Sequence, residues 1–228
     1  QVPPFDQIEE SHFFPAFEKA LALQKQEIED IINNPEEPSF ENTIEALDAS
    51  GALLTKVEDV FSNTRSVNTN DELDAIAEKV APMTSAHRDD INLDPDLFKR
   101  VKTINDARDE LDLTTEQAAL LERIYKNFVR GGANLNDEDK EKLREINSKL
   151  SLLTLKFGNN VLAETNSYKM YVDNEEDLEG LPENVIAGAA DAAKADGQEG
   201  KWLFTTHRPS IYPFLTYSTK RDLREKLH

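Results

Sequence analysis

The sequence predicts a mainly α protein: an antiparallel multi-helix array with a small β element near the C-terminus. Three observations predict it. Apolar residues recur at three- and four-residue steps through most of the first 165 positions, the mark of helices with one buried face. Residues that start and stop helices stand where the periodic runs begin and end. Segments rich in aromatic and β-branched residues come late and are short, so any sheet is small.

Val2-Pro3-Pro4 reads as an extended lead-in. Phe17, Leu21, Ile28, Ile31 and Ile32 mark a first long helix, which Asn33-Asn34-Pro35 stops because proline has no amide hydrogen for the ladder. Phe40, Ile44, Leu47, Gly51, Leu54, Glu58 and Phe61 predict a second helix from Ser39 past Phe61, with one nearly unbroken stripe. A third begins near Asp71 and carries Leu73, Ile76, Val80 and Met83, and Pro82 is expected to kink or divide it. Asp94 followed by Pro95 is an N-cap with proline in the first turn, which opens a fourth. Thr114 and Gln117 have capping-box spacing for a fifth, and Gly131-Gly132 supplies its left-handed end. Asn136 caps a sixth, in which Leu143, Ile146, Leu150, Leu153, Phe157 and Val161 are expected to form the buried stripe.

After Thr165 the character changes. Residues 168–172 and 201–205 read as strands separated by a helix-like segment from Glu183 to Ala195, either as a ribbon or as part of a sheet completed by other sequence. Arg221 to His228 reads as a helix cut off mid-pattern, so the natural chain is expected to continue. The organisation expected is a helical domain over residues 1–165 and a mixed segment over 166–228 that begins a further region.

Composition narrows the function classes. The chain of 228 residues carries a net charge of −19, and its first 110 residues hold 25 acidic side chains against 10 basic ones. That balance excludes a binder of phosphate backbones, which needs clustered Lys and Arg. A solvated acidic face accounts for it, with a preference for cationic peptides as the sharper reading. No apolar run is long enough for a membrane helix. There is no cysteine, so disulfides and thiolate metal sites are ruled out. No charged-then-apolar leader follows Gln1; a cytoplasmic location is expected, with export left open.

A catalytic zinc site needs three protein ligands, commonly two histidines on one helix face plus a carboxylate. The histidines are His12, His87, His207 and His228, and no two are four residues apart. Glu9 with His12 and Glu225 with His228 have the spacing used by di-iron bundles, but they lie at opposite ends of the chain. Ser210 lacks a nucleophile elbow, and nothing in the sequence brings His207 to it as a base; Arg208-Pro209-Ser210 reads as a turn that caps the next helix. His87 reads as a surface or structural histidine, Gly131-Gly132 as a helix stop and Trp202 as a core or interface aromatic. No catalytic, cofactor-binding or metal-binding residue is therefore expected in this chain.

Phe40-Glu41-Asn42-Thr43-Ile44-Glu45-Ala46-Leu47-Asp48-Ala49-Ser50-Gly51-Ala52-Leu53-Leu54 closely resembles the second long helix of the thimet oligopeptidase family of zinc metallopeptidases. Further segments resemble the same family in the same order: residues 3–8 with 12–17, 86–91, 96–101, 128–135 with a doubled glycine, 178–183 and 208–215. The resemblance covers almost the whole chain and leans toward the peptidyl-dipeptidase branch, with oligopeptidase A next. It implies two mostly helical halves around a deep channel, short peptides as substrates, and zinc held by an HExxH motif in the later half. That motif does not occur here. The resemblance therefore implies that these residues form an N-terminal channel wall that excludes folded proteins and is inactive alone. Its partner would be the missing C-terminal catalytic half. The alternative is a free-standing acidic helical binding or scaffold module, which composition and periodicity fit equally well. On the first reading, the aromatic tail of Trp202, Phe204, Ile211, Tyr212, Phe214, Leu215 and Tyr217 is expected to be poorly packed or to bury itself in a dimer or crystal contact, and residues 10–163 to be self-sufficient.

Overall fold

Phe13, Phe17, Ala20, Ile28 and Ile31 fall on one face of α1 (Phe13–Ile32), and all five are buried. Burying that face against other helices removes apolar surface from water, and this dominates the stability of the region. The computed structural model describes residues 2–228 and is mainly α. It divides into two compact units, Gln1–Leu155 and Lys156–His228.

In the first unit α1 packs against α3 (Ala52–Asn68), α4 (Asp71–Asn92) and α5 (Pro95–Asp106). Near its start, Phe13 and Phe17 meet Phe61 edge-on, with ring centroids 5.0 and 5.4 Å apart. Near its end, Ile28 and Ile31 join a second cluster with Phe40, Ile44, Leu97, Val101 and, from α6 (Thr115–Arg130), Leu121 and Phe128. The expected caps are present: Asp94 accepts the Leu97 amide at 2.7 Å, and Thr114 and Gln117 close a reciprocal capping box. Gly132, at φ 101°, makes the left-handed turn after α6.

The second helix is not continuous. Phe40–Glu45 is a π-helical turn, α2 (Ala46–Ala49) adds one further turn, and Ser50-Gly51 breaks the rod before α3. Gly51 is the cause: it sits at φ 72°, and a Cβ there would lie 2.2 Å from the Gln24 side chain. Only glycine takes that conformation without strain. The apolar spacing survived the break because the break falls within the stripe. Pro82 does not divide its helix, since α4 runs through it from Asp71 to Asn92.

The sixth predicted helix is α7 (Asp137–Ser167), and there the burial expected of its stripe is overturned. Not one of its 31 residues is buried. Leu143 is half-buried, but Ile146, Leu150, Leu153, Phe157 and Val161 are 57, 57, 62, 70 and 49% exposed. The residues of α7 that are half-buried in the first unit are Asp139, Lys140, Leu143, Arg144, Asn147, Ser151 and Leu155. At 100° per residue, the run from Arg144 to Leu155 lies on the side away from the apolar stripe.

In the second unit β1 (Met170–Val172) pairs antiparallel with β2 (Trp202–Phe204), Met170 opposite Phe204, and α8 (Glu183–Ala195) connects and covers them. The two segments thus make their own ribbon. Here the expectation of a loosely packed tail is overturned. Phe204 and Phe214 of α9 (Arg208–Tyr217) are fully buried and meet edge-on at 4.5 Å, in a core shared with Met170, Val172, Leu178 and Leu227 of α10 (Arg221–Leu227). Trp202, Ile211 and Leu215 are half-buried, and only Tyr212 and Tyr217 of the named aromatics and aliphatics are exposed. Gly180, at φ 91°, lets its loop pass so close to Tyr217 that a Cβ would lie 2.3 Å from that carbonyl oxygen.

Candidate functional site

Several of the residues with catalytic or ligating chemistry have structural partners. Glu9 and His12 form a reciprocal cap on the turn Glu10–His12, in which His12 Nδ1 accepts the Glu9 amide at 3.2 Å. His87 is half-buried on α4 with Nε2 2.9 Å from Gln24 Oε1, so that nitrogen is the donor. Burial holds the His87 pKa below the ordinary imidazole value, with Asp90 and Glu58 opposing. Glu225 and His228 are exposed on and just beyond α10. Ser210 lies in the first turn of α9, and its Oγ accepts the Thr205 amide at 2.9 Å. His207, exposed, is the residue at the N-cap, so Ser210 braces the turn rather than capping the helix. Trp202 packs against the second unit's core.

Among the described residues no three His, Asp, Glu or Cys side chains gather as a metal ion would require. The donor set does not fit a zinc site, because His12 and His87 already hold protein partners. A cleft of about 330 Å³ is lined by Lys25, Glu29, His87, Asp90 and Arg144, with Arg144 paired to Asp90 at 2.6 Å.

The most demanding polar arrangement escaped sequence reasoning. Arg100 on α5 is buried, and its guanidinium donates to Thr43 Oγ1 at 3.2 Å, Asn42 Oδ1 at 3.1 Å and the carbonyls of Asn34 and Glu36 at 3.2 and 3.4 Å. A buried charge is costly unless hydrogen bonds replace its water, and here neutral acceptors do so. Its position held a usable signal: Arg100 lies three residues after Leu97 and four before Ile104, both buried, so it falls on the buried face of α5. Arg100 thus bridges two of the recognisable segments, 40–54 and 96–101, which also share a hydrophobic cluster.

A second polar cluster roots α7. Asp89, buried on α4, accepts from Asn147 Nδ2 at 2.6 Å, and Lys140 donates to the Leu93 carbonyl at 3.0 Å. Burial raises the Asp89 pKa above the usual carboxylate value against the opposing effects of Asn147 and Arg144. No helix among the described residues is long and apolar enough to cross a membrane.

No protein-family model matches the chain. Curated proteins do. The chain is 38% identical over 225 residues to dipeptidyl carboxypeptidase of Escherichia coli, spanning 99% of this chain and 33% of that protein. It is 36% identical to dipeptidyl carboxypeptidase of Salmonella typhimurium and 29% identical to oligopeptidase A of Haemophilus influenzae, covering 100% of this chain and 33% of each. The chain is thus similar from end to end to proteins carrying peptidase names, and it spans about a third of their length.

Proposed function

We propose that these residues are the N-terminal helical region of a peptidase of the oligopeptidase type, of the kind of the dipeptidyl carboxypeptidases, and that they carry none of its catalytic groups. One observation carries the reading: the similarity runs along 99% of the chain but accounts for only 33% of the related protein. The sequence has no HExxH, and no donor set converges among the described residues; both support an architectural role. In this reading it forms one wall of a channel that admits short peptides, residues 166–228 begin a region that continues, and the zinc ligands with their general base lie in the remaining sequence. A cytoplasmic setting goes with that role.

The test compares two polypeptides. The 228-residue chain should release no dipeptide from the C-terminus of a short peptide and should show no stoichiometric zinc binding by calorimetry. The polypeptide extended to the relatives' length should release dipeptides, and a chelator should stop it. Cleavage by the short chain, or none by the long one, overturns the proposal.

A further inference from the structure

The outward face of α7 is apolar where the rest of the surface is charged. Ile146, Leu150, Leu153, Phe157 and Val161 follow one another at steps of four, three, four and four, so they line one side of the helix for roughly 22 Å. All five are about half exposed or more. Charged residues make up 31% of the sequence, yet from Leu150 to Ala163 Lys156 is the only one. A helix meant to stand in water carries charge on its outer side. The helix is also weak in isolation: Gly158, with open space around it, and then Asn159-Asn160 are poor helix formers within it. Helices draw most of their stability from packing an apolar face, and this one has its face unpaired.

We propose that this face docks the part of the polypeptide that makes up the other two thirds of the relatives' length, through an uncharged apolar helix face of that part. The proposal rests on the reading above. The occupant follows from two facts: the relatives extend well beyond the stretch matched by all 228 residues, and the net charge of −19 opposes a second copy, because pairing would bring two such charges together. A neutral stripe also calls for a neutral partner, since a charged group laid on it would lose its water without gaining a counter-charge.

The 228 residues contain no cysteine, so each introduced cysteine is the only one within them. Leu150→Cys and Phe157→Cys are compared with Asp109→Cys, whose side chain is 92% exposed. Each is made in the 228-residue chain and in the extended polypeptide, and maleimide labelling is timed residue by residue by mass spectrometry. In the short chain the three should react at similar rates. In the extended polypeptide positions 150 and 157 should slow at least about tenfold relative to 109, as expected for a face opened only by local unfolding. Equal rates there overturn the proposal. Protection in the short chain that grows with its concentration also overturns it, in favour of a second copy. Two positions guard against one variant misfolding. Dipeptide release by the same preparations separates the two ideas: cleavage without protection sinks the docking face alone, and protection without cleavage sinks the peptidase reading alone.

Discussion

Leu121, Ile124 and Phe128 on α6 have the same three-then-four spacing as Leu150, Leu153 and Phe157 on α7, and their fates are opposite. The α6 residues are 1, 9 and 3% exposed, whereas those on α7 are 57, 62 and 70% exposed. Spacing is a property of one element; burial is a property of two. The α6 stripe meets α5, where Phe98 stacks near Tyr125 and Phe128 with centroids 6.0 and 5.9 Å away. Leu150 and Leu153 stay exposed, and α7 is attached in the first unit largely through Asn147, Arg144 and Lys140. An apolar root fixes a helix by area, whereas this polar one fixes it by a few directed bonds.

The comparison can be broken most directly by truncating both aromatics in the 228-residue chain. Phe128→Ala should cost about 3–5 kcal/mol in chemical denaturation, through lost burial and a residual cavity. Phe157→Ala should stay within about 0.5 kcal/mol. Equal midpoints would mean that the two stripes are not in different environments. A smaller loss, about 1–3 kcal/mol, is expected for Arg100→Met, which leaves Asn42, Thr43 and two carbonyls without their donor. Loss within the error of the melt would show that water satisfies those groups.

The polar root of α7 gives the least effect and a pH signature. The folded-state pKa of Asp89 is raised by burial, so its favourable contribution is present below the unfolded carboxylate value and lost as pH rises through the raised one. Asp89→Asn keeps an oxygen for Asn147 and removes the charge. It should therefore gain relative to the parent across that window and be flat above it. A gain that appears instead on acidification would reverse the sign and refute the assignment to burial.

Much of the architecture was legible, for physical reasons that differ by element. The caps at Asp94 and Thr114 are local chemistry and stand as expected. The break at Gly51 was hidden, because a stripe that resumes in phase looks continuous. Phe204 and Phe214 pack well, against the expectation of a loose tail, since aromatic density does not say whether a neighbour within the same unit is near; each found the other. Phe157 was misjudged in the opposite direction. The site residues show the same limit: the Glu9–His12 pairing was visible as a spacing, and only three-dimensional placement showed that it closes a turn. Arg100 was overlooked because its acceptors lie 57 to 66 positions away along the chain.

The Arg100 contacts have a kinetic consequence as well. The segment from Asn34 to Thr43 has its shape written into a side chain that is synthesised much later, so it cannot settle until α5 arrives. Closing a loop of that length is slow compared with forming a helical turn. During synthesis α1 can form while the π-helical turn still waits, and the join between them closes late, when one guanidinium gathers four acceptors at once.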